Sequence, residues 1–243
     1  MRDSFKFYKN FISLGANCYV AEDLIALGLR NFSYPFDWCF SDDFSGVIDA
    51  IENSFNGFVD YDFLLQHKSN PTRYFNAKYR LSFYHDFNKF LPLKKQIDEV
   101  SKKYHRRINR FYETIQKPTI FFRYIISEND YVFLKNEYVR VENLLKSFCP
   151  ENRIIYIVHN DSLKDLGVEY FCVTKDEKDW ITRTPLRKNE KLHRLLKDIN
   201  DIDKNRNIIF ASNKKPLKQK FNFERVLRRA FNVEYKHKNT CDL

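Results

Sequence analysis

The chain has 243 residues, enough to bury a sizeable core as one large domain or two small ones, and its 43% hydrophobic and 17% aromatic content is that of a folded protein, which excludes disorder as the default. Its 42 Lys and Arg against 32 Asp and Glu give a formal charge of +10, which suits an anionic partner, although a general bias toward Lys, Asn, Ile and Phe produces much of that excess by itself. No run nears the roughly 18 apolar residues of a membrane span, and the odd set Cys18, Cys39, Cys149, Cys172 and Cys241 lacks C-x-x-C or Cys/His spacing; this excludes a disulfide framework or zinc ribbon and sets the expectation of a reducing, cytoplasmic location.

The first element is the most informative. Phe11 to Cys18 reads as a short strand and a turn that delivers a cysteine to the start of a helix. Val20, Ala21, Leu24, Ile25 and Leu27 recur at helical spacing, with Asn17 as N-cap and Gly28 as stop, so Cys18 takes the first helical position. Unpaired N–H groups and the positive end of the helix dipole favour a thiolate there, and hence a nucleophile. Gly15 suits a tight strand-to-helix turn.

Asn31 to Trp38 packs four aromatic residues, a proline and an acid into eight positions, which reads as a rigid loop covering a pocket. A short helix follows from Phe44 to Phe55, ended by Asn56-Gly57, and the segment through Pro71 reads as irregular. Arg80 to Phe87 alternates as a strand with Leu81, Phe83, His85 and Phe87 on one face, which points His85 toward apolar company. From Leu93 to Ile115 apolar residues step by three or four, the clearest helix in the chain.

After Pro118 the texture becomes α/β: strands Thr119–Ile125, Arg153–Val158, Val168–Val173 and Asn207–Ala211, with helices near Asp130–Phe148, Asn189–Ile199 and Phe223–Phe231. The expected class is therefore α/β, a mixed, largely parallel sheet with flanking helices and a helix-rich N-terminal part. It is read as a single domain over 1–243, with 116–118 as the place for a subdivision. His159 ends a strand, where open α/β sheets place ligand-binding groups. From Lys214 to Lys238 nine Lys or Arg face two Glu. No G-x-G-x-x-G, P-loop or H-E-x-x-H occurs, so no cofactor or metal is expected.

The pattern Ser13-Leu14-Gly15-x-Asn17-Cys18, Ser33-Tyr34-Pro35-Phe36-Asp37-Trp38 and His85-Asp86-Phe87 resembles a family of uncharacterised bacterial proteins described as putative papain-like cysteine peptidases. The resemblance implies a Cys18 nucleophile with His85 as general base. In that reading the Asn17 amide and nearby backbone N–H groups receive an oxyanion, and Asp37 or Asn88 orients the base. Ser13, Gly15 and Trp38 would line the substrate site. A second reading keeps the pocket but assigns it to an anionic sugar- or nucleotide-linked substrate of a transferase or binding protein, with Arg123, His159 and the basic C-terminal segment as anion contacts and Cys18 as a packing residue. Plain nucleic-acid binding ranks last, because no recognised motif supports it.

Overall fold

In the computed structural model residues 7–159, 168, 170–177 and 181–199 are described, all within one compact unit of residues 1–204. The strand expected at Asn207–Ala211, the helix at Phe223–Phe231 and the basic stretch Lys214–Lys238 lie outside the described residues. The mixed α/β class is as expected.

The central layer is a four-stranded parallel sheet built from β1 (Asn10–Ser13), β6 (Thr119–Tyr124), β7 (Arg153–His159) and β8 (Tyr170–Val173), neighbours in that order. Asn10 pairs with Thr119 and Ser13 with Phe122, so one sheet takes strands from both sides of residue 117. No separation into two bodies occurs there.

Alternation along the strands divides the sheet into two faces. Ile120, Phe122 and Tyr124 join Ile155, Ile157, Phe171 and Val173 in a core with Val20 and Leu24 of α1 (Cys18–Ala26). Leu186 of α5 (Pro185–Lys188) and Leu192 and Leu196 of a helix over 190–199 complete that core. Helix α1 ends in a Schellman motif: Leu29 N–H reaches Leu24 O, Gly28 N–H reaches Ile25 O, and Gly28 takes φ +67°, where glycine is unstrained. Asp23, fully buried on α1, accepts from Leu186 N at 2.8 Å and from Arg187 Nε at 2.6 Å, tying α1 to the start of α5.

The opposite face carries Phe121 and Arg123 against α2 (Phe44–Glu52), α3 (Leu93–Ile115) and α4 (Glu128–Phe148). Beyond α3 lies a second sheet, antiparallel, in the order β2 (Cys39–Phe40), β5 (Leu81–Phe83), β4 (Asn70–Asn76), β3 (Leu64–His67). This corrects one expectation. The stretch through Pro71 is not irregular: it holds β3 and the start of β4, joined after a 3-10 turn at Tyr61–Phe63. The N-terminal part is helix-rich as expected, its helices holding more residues than its strands, and short half-polar strands such as Leu64-Leu65-Gln66-His67 pair through their backbones while showing little alternation.

Candidate active site

The Cys18 turn is assembled at the carboxyl edge of the parallel sheet. Leu14 N–H donates to Phe122 O at 2.8 Å and Tyr124 N–H to Gly15 O at 3.3 Å, so the chain leaves β1 still bonded to β6. Ser13 Oγ accepts from Gly15 N–H at 3.1 Å. Gly15 has φ +85°, and a Cβ there would lie 3.1 Å from Arg123 Nη1 and 3.2 Å from Ser41 Oγ; conformation and space both ask for glycine. Ser13 and Gly15 are buried and form the turn from within.

Asn17 caps α1, its Oδ1 accepting from Tyr19 N–H at 3.0 Å. Its other amide atom, Nδ2, is buried and has no hydrogen-bond partner among the described residues, although the residue is only 7% exposed. Cys18 follows, half-buried, at the first helical position. The expected lowering of its pKa is not found: burial, and then the carboxylate of Glu22 one turn along, push the thiol up to about 11. At neutral pH the sulfur carries its proton.

Arg123 supports the turn from below. Fully buried, it meets both oxygens of Asp130 at 2.8 Å, and it also donates to Leu14 O, Ser41 Oγ and Ser41 O at 2.8 to 2.9 Å. A protein carboxylate and three further protein acceptors thus occupy both Nη atoms of the guanidinium proposed for a bound anion, while its Nε is buried without a partner among the described residues. His159, 3% exposed, lies at the end of β7 on the face shared with α1. The Tyr124 hydroxyl accepts from Thr182 N–H at 3.0 Å and pairs with His159 Nε2, and burial raises the pKa of this phenol.

Strand β5 stops at Phe83, and His85 is exposed in the following loop instead of pointing into apolar company; of that pair it is the Asp86 side chain that is buried, within a half-buried residue. Asp86 accepts from the Tyr104 hydroxyl at 2.8 Å and is paired with Lys103, with Arg107 at 3.8 Å. The His85 ring stands edge-on to Trp38, centroids 6.4 Å apart. Trp38 in turn lies under the Arg30 guanidinium at 5.4 Å. Asp37, 1% exposed, binds Arg30 Nη2 at 2.6 Å, Arg30 Nε at 3.0 Å and Tyr34 N–H at 2.8 Å; burial raises its pKa despite the Arg30 charge. Asn88 is engaged with Gln96 and Phe90. Neither Asp37 nor Asn88 is hydrogen-bonded to His85.

His85 and Trp38 are held by the antiparallel sheet and α3, and Cys18 by β1, β6 and α1; the two parts meet where Ser41, three residues after Trp38, donates to Ala16 O at 2.7 Å. Phe83 packs on Tyr104 of α3, whose Phe111 packs on Phe121, the face away from α1. Arg30, which anchors Asp37, follows the C-terminus of α1, and Asn31 reaches Lys9 O just before β1. Cys18 is at the helix's other end, about 13 Å away for nine residues. Among the described residues no hydrogen bond joins Cys18 to His85. The histidine sharing an edge and a face with Cys18 is His159. Three residues of this edge were not singled out from sequence: Ser41, whose N–H donates to Ala16 O at 2.7 Å, Tyr124, and Glu22. Only Glu22 had a readable signal, its i,i+4 spacing from Cys18.

Among the described residues no group of three or more His, Cys, Asp or Glu is arranged to hold a metal, and no helix is long and apolar enough to cross a membrane. No solved structure matches the chain. Over 182 residues it is 31% identical to the uncharacterised protein R408 of Acanthamoeba polyphaga mimivirus, an alignment covering 65% of this chain and 80% of the viral protein. A family model described as "Putative papain-like cysteine peptidase (DUF1796)" matches residues 9–162, a span that includes Cys18, Asp37, His85, Arg123 and His159. With more than half of its length matched, the chain belongs to that family.

Proposed function

We propose that the protein is a cysteine-dependent hydrolase or acyl-transfer enzyme with Cys18 as nucleophile. The observation that carries this reading is the Asn17 amide: a buried N–H donor without a partner, beside a half-exposed thiol at a helix start. Such a donor suits an oxyanion forming on a carbonyl that Cys18 attacks. Because the resting thiol is neutral, its proton must leave as the S–C bond forms, so a base acts in the same step. His159 takes that role in this reading, since it shares the carboxyl edge with Cys18; His85 and Asp37 then belong to the separate cluster around Trp38. The leaving group departs with the proton, and water cleaves the thioester to restore the thiol.

A nitrophenyl acetate burst followed by intact-mass and peptide analysis tests this. An acetyl group on Cys18 is expected, lost in Cys18→Ser and formed at least tenfold more slowly in Asn17→Ala. No adduct on Cys18 in the native protein overturns the reading. The raised thiol pKa favours the second reading, a transferase or binding protein for an anionic sugar- or nucleotide-linked substrate with Cys18 as a packing residue. That alternative predicts full function in Cys18→Ala.

A further inference from the structure

The antiparallel sheet buries one face and leaves the other uncovered by any described element. Tyr74, Leu81 and Phe83 point inward. On the outer face the register places Leu65 opposite Phe75, Phe75 opposite Ser82 and Ser82 opposite Phe40, a straight row across all four strands. Leu65 is 57% and Phe75 37% exposed, and Phe40 is half-exposed. Ser82, small and buried, lies between Phe75 and Phe40, which stand two strand spacings apart, about 10 Å. Tyr84 lies next to Phe40 with centroids 5.9 Å apart, and the Arg73 guanidinium stacks on Tyr84 at 4.0 Å. Arg73 makes no hydrogen bond to another described residue, and its Nε is buried without a partner. Its nearest influential carboxylate is Asp42, which acts on it through charge alone.

Aromatic rings in a row on a sheet surface and a stacked arginine without a hydrogen-bond partner among the described residues fit a ligand that alternates flat rings with anionic groups. We propose that this face binds single-stranded nucleic acid, bases stacking on Phe75, Phe40 and Tyr84 and a backbone phosphate meeting Arg73. The excess of ten positive charges in the chain gives such a ligand its long-range attraction. The surface is separate from the Cys18 turn, and the proposal stands whether or not Cys18 is a nucleophile.

Fluorescence anisotropy with fluorescein-labelled oligo(dT) and oligo(U), at low and physiological salt, tests it on the full chain. Binding that weakens with salt is expected. The double variant Phe75→Ala/Tyr84→Ala, which leaves every charge in place, should lose about twenty-fivefold in affinity, roughly fivefold per ring. Absence of binding at low salt, or unchanged affinity in the double variant, overturns the proposal; the second result would move binding to charged segments. Photo-crosslinking of a bromouridine oligonucleotide to the unmodified protein removes any ambiguity from misfolding. Crosslinks to Phe40, Phe75 or Tyr84 are expected, and crosslinks confined to other residues overturn it. A dimer in sedimentation that excludes the oligonucleotide from this face also overturns it, by making a second copy the occupant.

Discussion

The carboxyl edge around Cys18 and the cluster around Trp38 use buried charge in different ways. At the edge, Arg123 and Asp130 are both fully buried and face each other, so the pair acts as a fixed internal brace whose acceptors also include the Cys18 turn. Around Trp38, Asp37 and Asp86 are buried, while the cations that hold them, Arg30, Lys103 and Arg107, come partway to the surface. One region has its geometry closed; the other keeps charge within reach of solvent. The residues that carry the family pattern are spread over both regions, which Ser41 joins by donating to Ala16 O.

The strongest way to break the contrast is Arg123→Ala. It strands Asp130 without its cation and should cost about 3–5 kcal/mol in urea unfolding; a loss below 1 kcal/mol would show that the brace is replaceable. Next is Gly15→Ala, which combines a positive φ with a crowded Cβ and should cost about 1–3 kcal/mol while leaving the Trp38 cluster's fluorescence unchanged.

Thiol reactivity sharpens the comparison without unfolding anything. Alkylation of Cys18, resolved by mass spectrometry, should rise with a midpoint near pH 11. The sign follows from the folded state favouring the protonated sulfur: any stability this preference contributes is present below the unfolded pKa of about 8.5 and is lost as pH rises through 11. Glu22→Gln should lower the midpoint but leave it above 8.5, because burial is the larger cause. A midpoint below 8 in the wild type would restore the activated thiolate. The smallest effect belongs to Arg140→Ala on the α2–α4 surface, where pairs with Asp49 and Glu52 are about one-third exposed and worth at most about 1 kcal/mol together.

Much of the fold was legible because the signals were local. Asn17, Leu24 and Gly28 specify α1 by cap, period and stop, and the observed helix spans Cys18–Ala26. The apolar steps of Leu93 to Ile115 match α3 residue for residue, and β6 and β7 were readable as continuous apolar runs. The second sheet was not, since Leu64 to Asn76 gains its order from cross-strand partners remote in sequence, and β2 is only two residues long. In the site, the position of Cys18 followed from the same helix signals. Its neighbours did not: whether His85 or His159 shares its face depends on which strand lies beside β1, and nothing in Phe11 to Ser13 names β6 as that partner. The Cys18 pKa was misjudged for a related reason, because burial depends on tertiary packing while the dipole argument needs only the helix start.

The pairing of Asn10 with Thr119 also has a temporal side. On the ribosome, β1 and the turn after it wait without their partner strand until β6 has emerged, so the turn ahead of Cys18 is made well before it is locked. During that interval the thiol lacks the burial that keeps it protonated. A nascent chain stalled before Thr119 would therefore expose a more reactive cysteine than the finished protein does.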